Sequence, residues 1–344
     1  MAKCDESLTL VVEKILSDIF VSISYSRRVR FYIYSVIASG QLNARATEFH
    51  RQGALIQTDE GGVGCIHPWP ELGDATLEEE LAALRDRKPL ALGKQALECA
   101  RVDGEARNKG VNLFDGLVIP KSHATLPPSV SPATVRLMGL HGFRAGKVKA
   151  MTSAEATAER LSVLASVAPD WRWRLDFNAM LEEREAMIFW RNLSPELRGL
   201  IDFVEDPCPF SRESWTHLMS EGMPIACDLF LDPQNPPMQD ADTPPIRIIK
   251  PAREAIPAKG SGQHVFTSVM DHAIGQLWAT WNAAKYYEGT PVDEIPLCGL
   301  CTHLLFKNDP FFNDLGEMAP TITPPAGTGL GFDHLLATLP WSPL

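Results

Sequence analysis

FRAGKVK (143–149), WRWRLDFN (171–178), LIDFVEDP (200–207), MPIACD (223–228) and IRIIKP (246–251) each read as a short buried strand that delivers a polar residue, namely Lys149, Asp176, Glu205, Asp228 and Lys250. Consecutive members stand 27, 29, 23 and 22 residues apart (149→176→205→228→250). A strand, a helix and two connections fill that length in a βα repeat. The spacing therefore predicts five consecutive units of a parallel barrel, whose strands all end on one face. Side chains two apart on a strand point the same way. Lys147 should thus accompany Lys149, and Arg174, Asp176 and Asn178 should share a face, as should Phe203 with Glu205, Ala226 with Asp228 and Ile248 with Lys250.

Outward from these runs, His264 to Phe266 predicts a strand ending on Thr267 and Ser268, and Ile295 to Leu304 a last strand. Gly116 to Pro120 reads as a short buried run at the start of the barrel. Helices are expected over 133–140, from a cap at 152–155 to about 165, over 180–191, after Ser194-Pro195, from Ser211 to Gly222, and from a cap at Asp271 to Gly289. Upstream, Val29 to Ile37 and Gly53 to Gly64 read as strands, the second with a turn at 59–62, followed by helices over 74–84 and 94–107. Residues 40–52 read as a loop and 1–28 as a helical extension. Strands first and helices after make the first 115 residues an α+β unit, with a Pro/Gly-rich tail from Lys307 folding back over it.

The totals narrow the partners. A net charge of −11 argues against nucleic acid and anionic membrane, which recruit basic patches. Seven scattered cysteines are not a disulfide framework, and no signal peptide or membrane span is read, so the expected location is the cytoplasm. Cys298-Gly299-Leu300-Cys301 has no second pair at zinc spacing, and His67, His264, His272 and His303 show no metal spacing; both sets read as structural. No phosphate-binding fingerprint is present.

Three carboxylates at successive strand ends offer hard oxygen ligands suited to Mg²⁺, with Mn²⁺ as a substitute. A lysine facing such a metal can act as a base, because burial and a neighbouring cation such as Lys147 depress an ammonium's pKa. The reaction class that follows is proton abstraction beside a carboxylate, with the developing enediolate stabilised by the metal.

The set Lys147-Val148-Lys149, Arg174-x-Asp176-x-Asn178, Val204-Glu205-Asp206-Pro207, Asp228 and Ile249-Lys250-Pro251 resembles the enolase superfamily in its muconate-lactonizing subgroup. Within it, Phe266-Thr267-Ser268-Val269-Met270-Asp271-His272, Gly275-Gln276, Gly299-Leu300, Leu305-Phe306 and the closing Gly327 to Asp333 look most similar to the o-succinylbenzoate synthase family. The resemblance implies a modified TIM barrel, (β/α)7β, over 116–306, with an α+β capping domain built from residues 1–115 and the tail 307–344. It implies Mg²⁺ on Asp176, Glu205 and Asp228, Lys149 as the base that then protonates the departing hydroxyl, and Lys250 as the opposed cation. Lys147, Arg174, Asn178, Thr267, Ser268 and Met270 would bind substrate or tune the site. The implied reaction is a lyase step of menaquinone biosynthesis, the syn-dehydration of 2-succinyl-6-hydroxy-2,4-cyclohexadiene-1-carboxylate. The implied partner is a small anionic carboxylate, and a homo-oligomer is left open. Racemisation of N-acylamino acids, dipeptide epimerisation and muconate cycloisomerisation use the same constellation, and a barrel that only binds is the alternative of another class. Two departures stand out: Leu229-Phe230 follows Asp228 where the family places an acidic residue and a serine, and 43–51 matches the family's specificity loop poorly.

Overall fold

The computed structural model describes residues 28–42, 48–150, 153–228, 246–259 and 262–344. The expected helical extension (apart from Arg28), residues 43–47 of the expected loop, Thr152 and Leu229-Phe230 lie outside the described residues.

The β-rich run from Val29 forms β1 (Val29–Ile37), antiparallel to β2 (His50–Thr58), which turns at Asp59 to Gly62 into β3 (Val63–Ile66). His50 to Gln52 thus belong to a strand, not to the expected loop, because each has a partner on β1. The helix Leu77–Arg85 is held by a capping box between Thr76 and Glu79, and the helix Ala91–Lys109 lies across the hairpin. Two glycines allow that crossing: a Cβ on Gly62 would sit 1.9 Å from the Ala100 carbonyl, and one on Gly64 2.0 Å from that of Ala96. Ile56, Ile66, Leu84, Leu92 and Ala96 form the core between them.

Seven strands then pair in chain order as one parallel sheet: β4 (Ala124–Leu126), β5 (Ala145–Lys149), β6 (Arg172–Asp176), β7 (Ile201–Glu205), β8 (Ile225–Cys227), β9 (Ile246–Ile249) and β10 (Gln263–Phe266). Their outward side chains, such as Val148, Leu175, Val204, Ile225, Ile249 and Phe266, join the main core under the helices. Their inward side chains Phe203, Ala226, Ile246, Ile248 and Val265 pack into a separate plug inside the sheet. Alternation of two buried faces is what a barrel strand requires. The sheet closes through Cys298-Gly299, which bridges Ser122 on one side and Thr267 on the other. Four backbone bonds hold the seam: Cys298 to Lys121, His123 to Cys298, Gly299 to Phe266 and Ser268 to Gly299, all 2.7–3.1 Å.

Three expectations are corrected. Gly116 to Pro120 is not a buried run: Ile119 packs only partly on the core and Val118 is 54% exposed, and the first stave is β4, the segment with a hydrogen-bonding neighbour on β5. The last stave is only Cys298-Gly299, because the chain coils at once into the 3-10 turn Thr302–Leu305 on its way back to β1. The cap of the helix Ala273–Tyr286 is His272, whose Nδ1 accepts from the Ile274 amide at 3.2 Å, while Asp271 is buried beneath it. Ser153, Ser194 and Ser211 cap their helices; the helix expected from Met180 starts at Glu183. All six described cysteines are free and buried, and no helix among the described residues is long and apolar enough to cross a membrane.

The tail returns to the cap, where β11 (Ser342–Pro343) adds to the edge of β1. Asp103, fully buried, pins tail, helix and hairpin together: it accepts from the amides of Val63 (2.8 Å) and Leu330 (2.6 Å) and from Arg107 Nε (2.6 Å). Asp103→Ala leaves these donors without an acceptor and should lower the urea unfolding free energy by about 3 kcal/mol, more than a surface substitution such as Glu105→Ala.

Candidate active site

Counting β4 as the first of the eight staves (seven strands plus Cys298-Gly299), Lys149 ends the second, Asp176, Glu205 and Asp228 the third to fifth, Lys250 the sixth and Thr267 the seventh. Second and sixth staves face each other across a closed eight-stave barrel. The two lysines are therefore opposed across the mouth, and the carboxylates occupy the arc between them.

Burial makes the ionic pairing strict. Glu205 is 0% exposed, Asp176 1% and Lys147 6%, and an ionised group so buried must be neutralised by partners. Lys147 Nζ reaches Glu205 Oε1 at 2.6 Å and Asp176 Oδ2 at 3.0 Å. Lys149 also donates to Asp176 Oδ2, and Lys250 to Asp228 Oδ2. Asp176 Oδ1 accepts from the Asn178 amide (3.0 Å), and Asp206 Oδ1 from that of Asp228 (3.1 Å). Burial alone would lower the Lys147 pKa, but Asp176, Glu205 and Asp228 hold it above the usual lysine value. Burial opposes ionisation of Asp176, yet Lys147 and Lys149 outweigh it and keep that carboxyl far below its ordinary range. Burial, then the charge of Asp176, pushes Glu205 up to about 7, and burial with Asp228 and Glu205 raises Asp206. The mouth is short of positive charge.

That shortage fits a divalent cation. Oxygens of Glu205, Asp206 and Asp228 lie within 4.8 Å of one another, and Glu205 Oε2 is buried with no hydrogen-bond partner among the described residues. The single ammonium of Lys147 already faces Asp176 and Glu205 together, so one cation can address both. An all-carboxylate donor set suits a hard ion. Asp206, the neighbour of Glu205, is a candidate that the strand pattern left aside, since its side chain should alternate to the other face.

Lys147, Lys149, Asn178, Asp228, Lys250, Thr267, Ser268 and Met270 line one cavity that opens to solvent; Asp176 and Glu205 lie beneath the lysines. Ser268 Oγ pairs with Thr302 Oγ1 at 2.6 Å. Four residues just past strand ends have left-handed backbones: Asn178 (φ 47°), Ala179 (56°), Asp206 (42°) and Met270 (56°). Such strain in residues other than glycine gathers at functional sites. Arg174 does not line the cavity. Its guanidinium is spent on Asp202 (2.8 Å), the Leu297 carbonyl (2.7 Å), His123 Nδ1 (2.8 Å) and the face of Phe203.

His123 does line the cavity; the sequence reading passed over it because no strand pattern marks the three-residue β4 that follows it. Burial, then Arg174, Lys147 and Lys149, lower its pKa well below the usual histidine value. Trp69 and Leu72 were also missed: they reach the cavity from the cap, on a loop that no strand or helix period marks. That loop is clamped to the barrel by Arg253, which also lines the cavity and binds Asp74 Oδ2 at 2.6 Å, and to the cap by Arg51, which lies 4.0 Å over Trp69 and binds Glu71 at 2.6 Å.

Comparison with known proteins agrees with this architecture. Residues 29–106 match the family model described as O-succinylbenzoate synthase, N-terminal domain. The chain is 32% identical over 334 residues to an o-succinylbenzoate synthase of Bdellovibrio bacteriovorus, covering 93% of this chain and 98% of that one. It is 29% identical over 255 residues to the Pasteurella multocida enzyme of the same name, covering 65% of this chain and 73% of that one. Among solved structures, a dipeptide epimerase of Enterococcus faecalis, solved with Mg and a dipeptide, superposes with a TM-score of 0.69 at 18% identity, covering 89% of this chain and 98% of that one. An N-succinyl Arg/Lys racemase of Bacillus cereus gives 0.69 at 13% identity, covering 92% and 99%. At those identities the structures speak for the fold, while the Bdellovibrio relative speaks for descent along almost the entire length: the chain belongs to the o-succinylbenzoate synthase family.

Proposed function

We propose that this enzyme is a lyase of menaquinone biosynthesis that forms o-succinylbenzoate from 2-succinyl-6-hydroxy-2,4-cyclohexadiene-1-carboxylate. The observation that carries proton abstraction is the pair Lys149 and Lys250, opposed across one cavity with the carboxylate arc between them. The choice of dehydration rests on the likeness to the Bdellovibrio relative.

Asp176, Glu205 and Asp228, with Asp206 beside them, would hold Mg²⁺, which when bound supplies positive charge toward the substrate carboxylate. Lys149 removes the proton on the carbon bearing that carboxylate. It returns the proton to the departing hydroxyl on the same face, so that water leaves and the ring becomes aromatic. Lys250, from the other side, remains an ammonium and offsets the negative charge that develops. Thr267 and Ser268, before the N-terminus of the helix Ala273–Tyr286, stand where a second carboxylate can be met by donors. Trp69 and Leu72 supply an apolar wall for the ring. The same two lysines would allow racemisation of N-succinyl amino acids, since each could serve one face of the α-carbon.

Purified protein with Mg²⁺ should turn over the hydroxycyclohexadiene carboxylate, and N-succinyl amino acids tested in parallel separate dehydration from racemisation. Lys149→Met should lower kcat by about 10²–10⁴-fold in protein that circular dichroism shows to be folded; wild-type turnover by this variant would refute the base assignment. Chelation should abolish activity and Mg²⁺ restore it, whereas Asp176→Ala should stay inactive at any Mg²⁺ concentration. Full activity in Asp176→Ala would remove Asp176 from the ligand set.

A further inference from the structure

Arg174 and His123 together fix a hydrogen-bond donor at the floor of the cavity. The Arg174 guanidinium has only donors, and its Nη1 lies 2.8 Å from His123 Nδ1, so Nδ1 is the acceptor. A proton on Nδ1 would set two donors against each other, and in the doubly protonated ring two positive charges as well. The arginine cannot turn away, being fixed by Asp202, the Leu297 carbonyl and Phe203. The imidazole is thereby neutral with its proton on Nε2. The ring is held too: the His123 amide donates to the Cys298 carbonyl across the seam, and the ring packs on Gly299, where a Cβ would come within 2.8 Å of Cε1 and 3.0 Å of Nε2. Among the described residues Nε2 meets no protein acceptor, and His123 lines the cavity together with Lys147, Lys149 and Thr125.

We propose that His123 is a substrate-binding residue, presenting a fixed Nε2–H to a carboxylate or ketone oxygen of the ligand, and that Arg174 is the positioning residue that sets its tautomer. This deepens the function proposed above and rests on it for the identity of the ligand. It also gives the buried Arg174 a purpose beyond packing, because exchange of its guanidinium for a group with an acceptor would let the imidazole proton move to Nδ1 and turn the donor into an acceptor.

The test uses the full chain with ¹⁵N-labelled histidine, in which two-bond ¹⁵N–¹H correlation distinguishes protonated from unprotonated ring nitrogens; the His123 signals are those missing in His123→Gln. An unprotonated Nδ1 and a protonated Nε2 are expected, and an Nδ1–H tautomer would overturn the proposal. Calorimetry with o-succinylbenzoate as the probe should show affinity reduced roughly 10- to 100-fold in His123→Phe and largely restored in His123→Gln, which keeps an N–H donor. The same variants should raise KM far more than they lower kcat. Equal affinity and KM in wild type and His123→Phe would overturn the role of His123 while leaving the dehydratase reading intact. Wild-type protein that binds o-succinylbenzoate through His123 yet turns nothing over would overturn the reaction and uphold His123.

Discussion

The ammonium of Lys147, wedged between Asp176 and Glu205, is the contact on which the mouth of this barrel depends. Four carboxylates (Asp176, Glu205, Asp206, Asp228) and three ammonium groups (Lys147, Lys149, Lys250) crowd where the strands end. Buried like charges raise one another's pKa, as at Glu205 and Asp206, and an uncompensated one would cost several kcal/mol. The arrangement persists because each amine is already fixed by a strand register: Lys147 and Lys149 are opposite Arg174 and Asp176 in the β5–β6 ladder. Backbone pairing holds the charges in place, and charge imbalance leaves room for one more cation.

The cap completes what the barrel begins. Trp69 and Leu72 close the cavity from above on a loop gripped by Arg51 and Arg253 through Glu71 and Asp74. The tail, anchored by Asp103 and Arg107, adds to the same cap sheet. With β1 to β3 and the tail 342–343 in one sheet, one small unit sits on the open end of the barrel, and the barrel interior below is filled by Phe203, Ile246, Ile248 and Val265.

Much of this was legible in the sequence because the strands obey period two and end on charges. Runs such as WRWRLDFN announce both their inner and outer faces, and the separations between them fix a βα repeat. What failed to show was structure made by contact rather than by pattern. Ala124–Leu126 is three residues long and is a strand only through its pairing with β5, with the seam at Ser122 just before it, so no apolar run in the sequence announces it. His123 was hidden with it. The last stave shrinks to Cys298-Gly299 for the same reason, and Asp206 reaches the acidic cluster only by a left-handed backbone (φ 42°) that no alternation rule foresees. Trp69 and Leu72 sit on a loop whose position is set by arginines distant in the chain.

We propose that a divalent cation completes the carboxylate arc, which is short of positive charge. The most direct measurement is the thermal unfolding midpoint of the full chain titrated with Mg²⁺, beside that of Glu205→Gln. A ligand that binds only the folded state raises the midpoint with concentration. The account predicts a rise in the wild type that is lost in the variant; a midpoint indifferent to Mg²⁺, or the same rise in both, would contradict it.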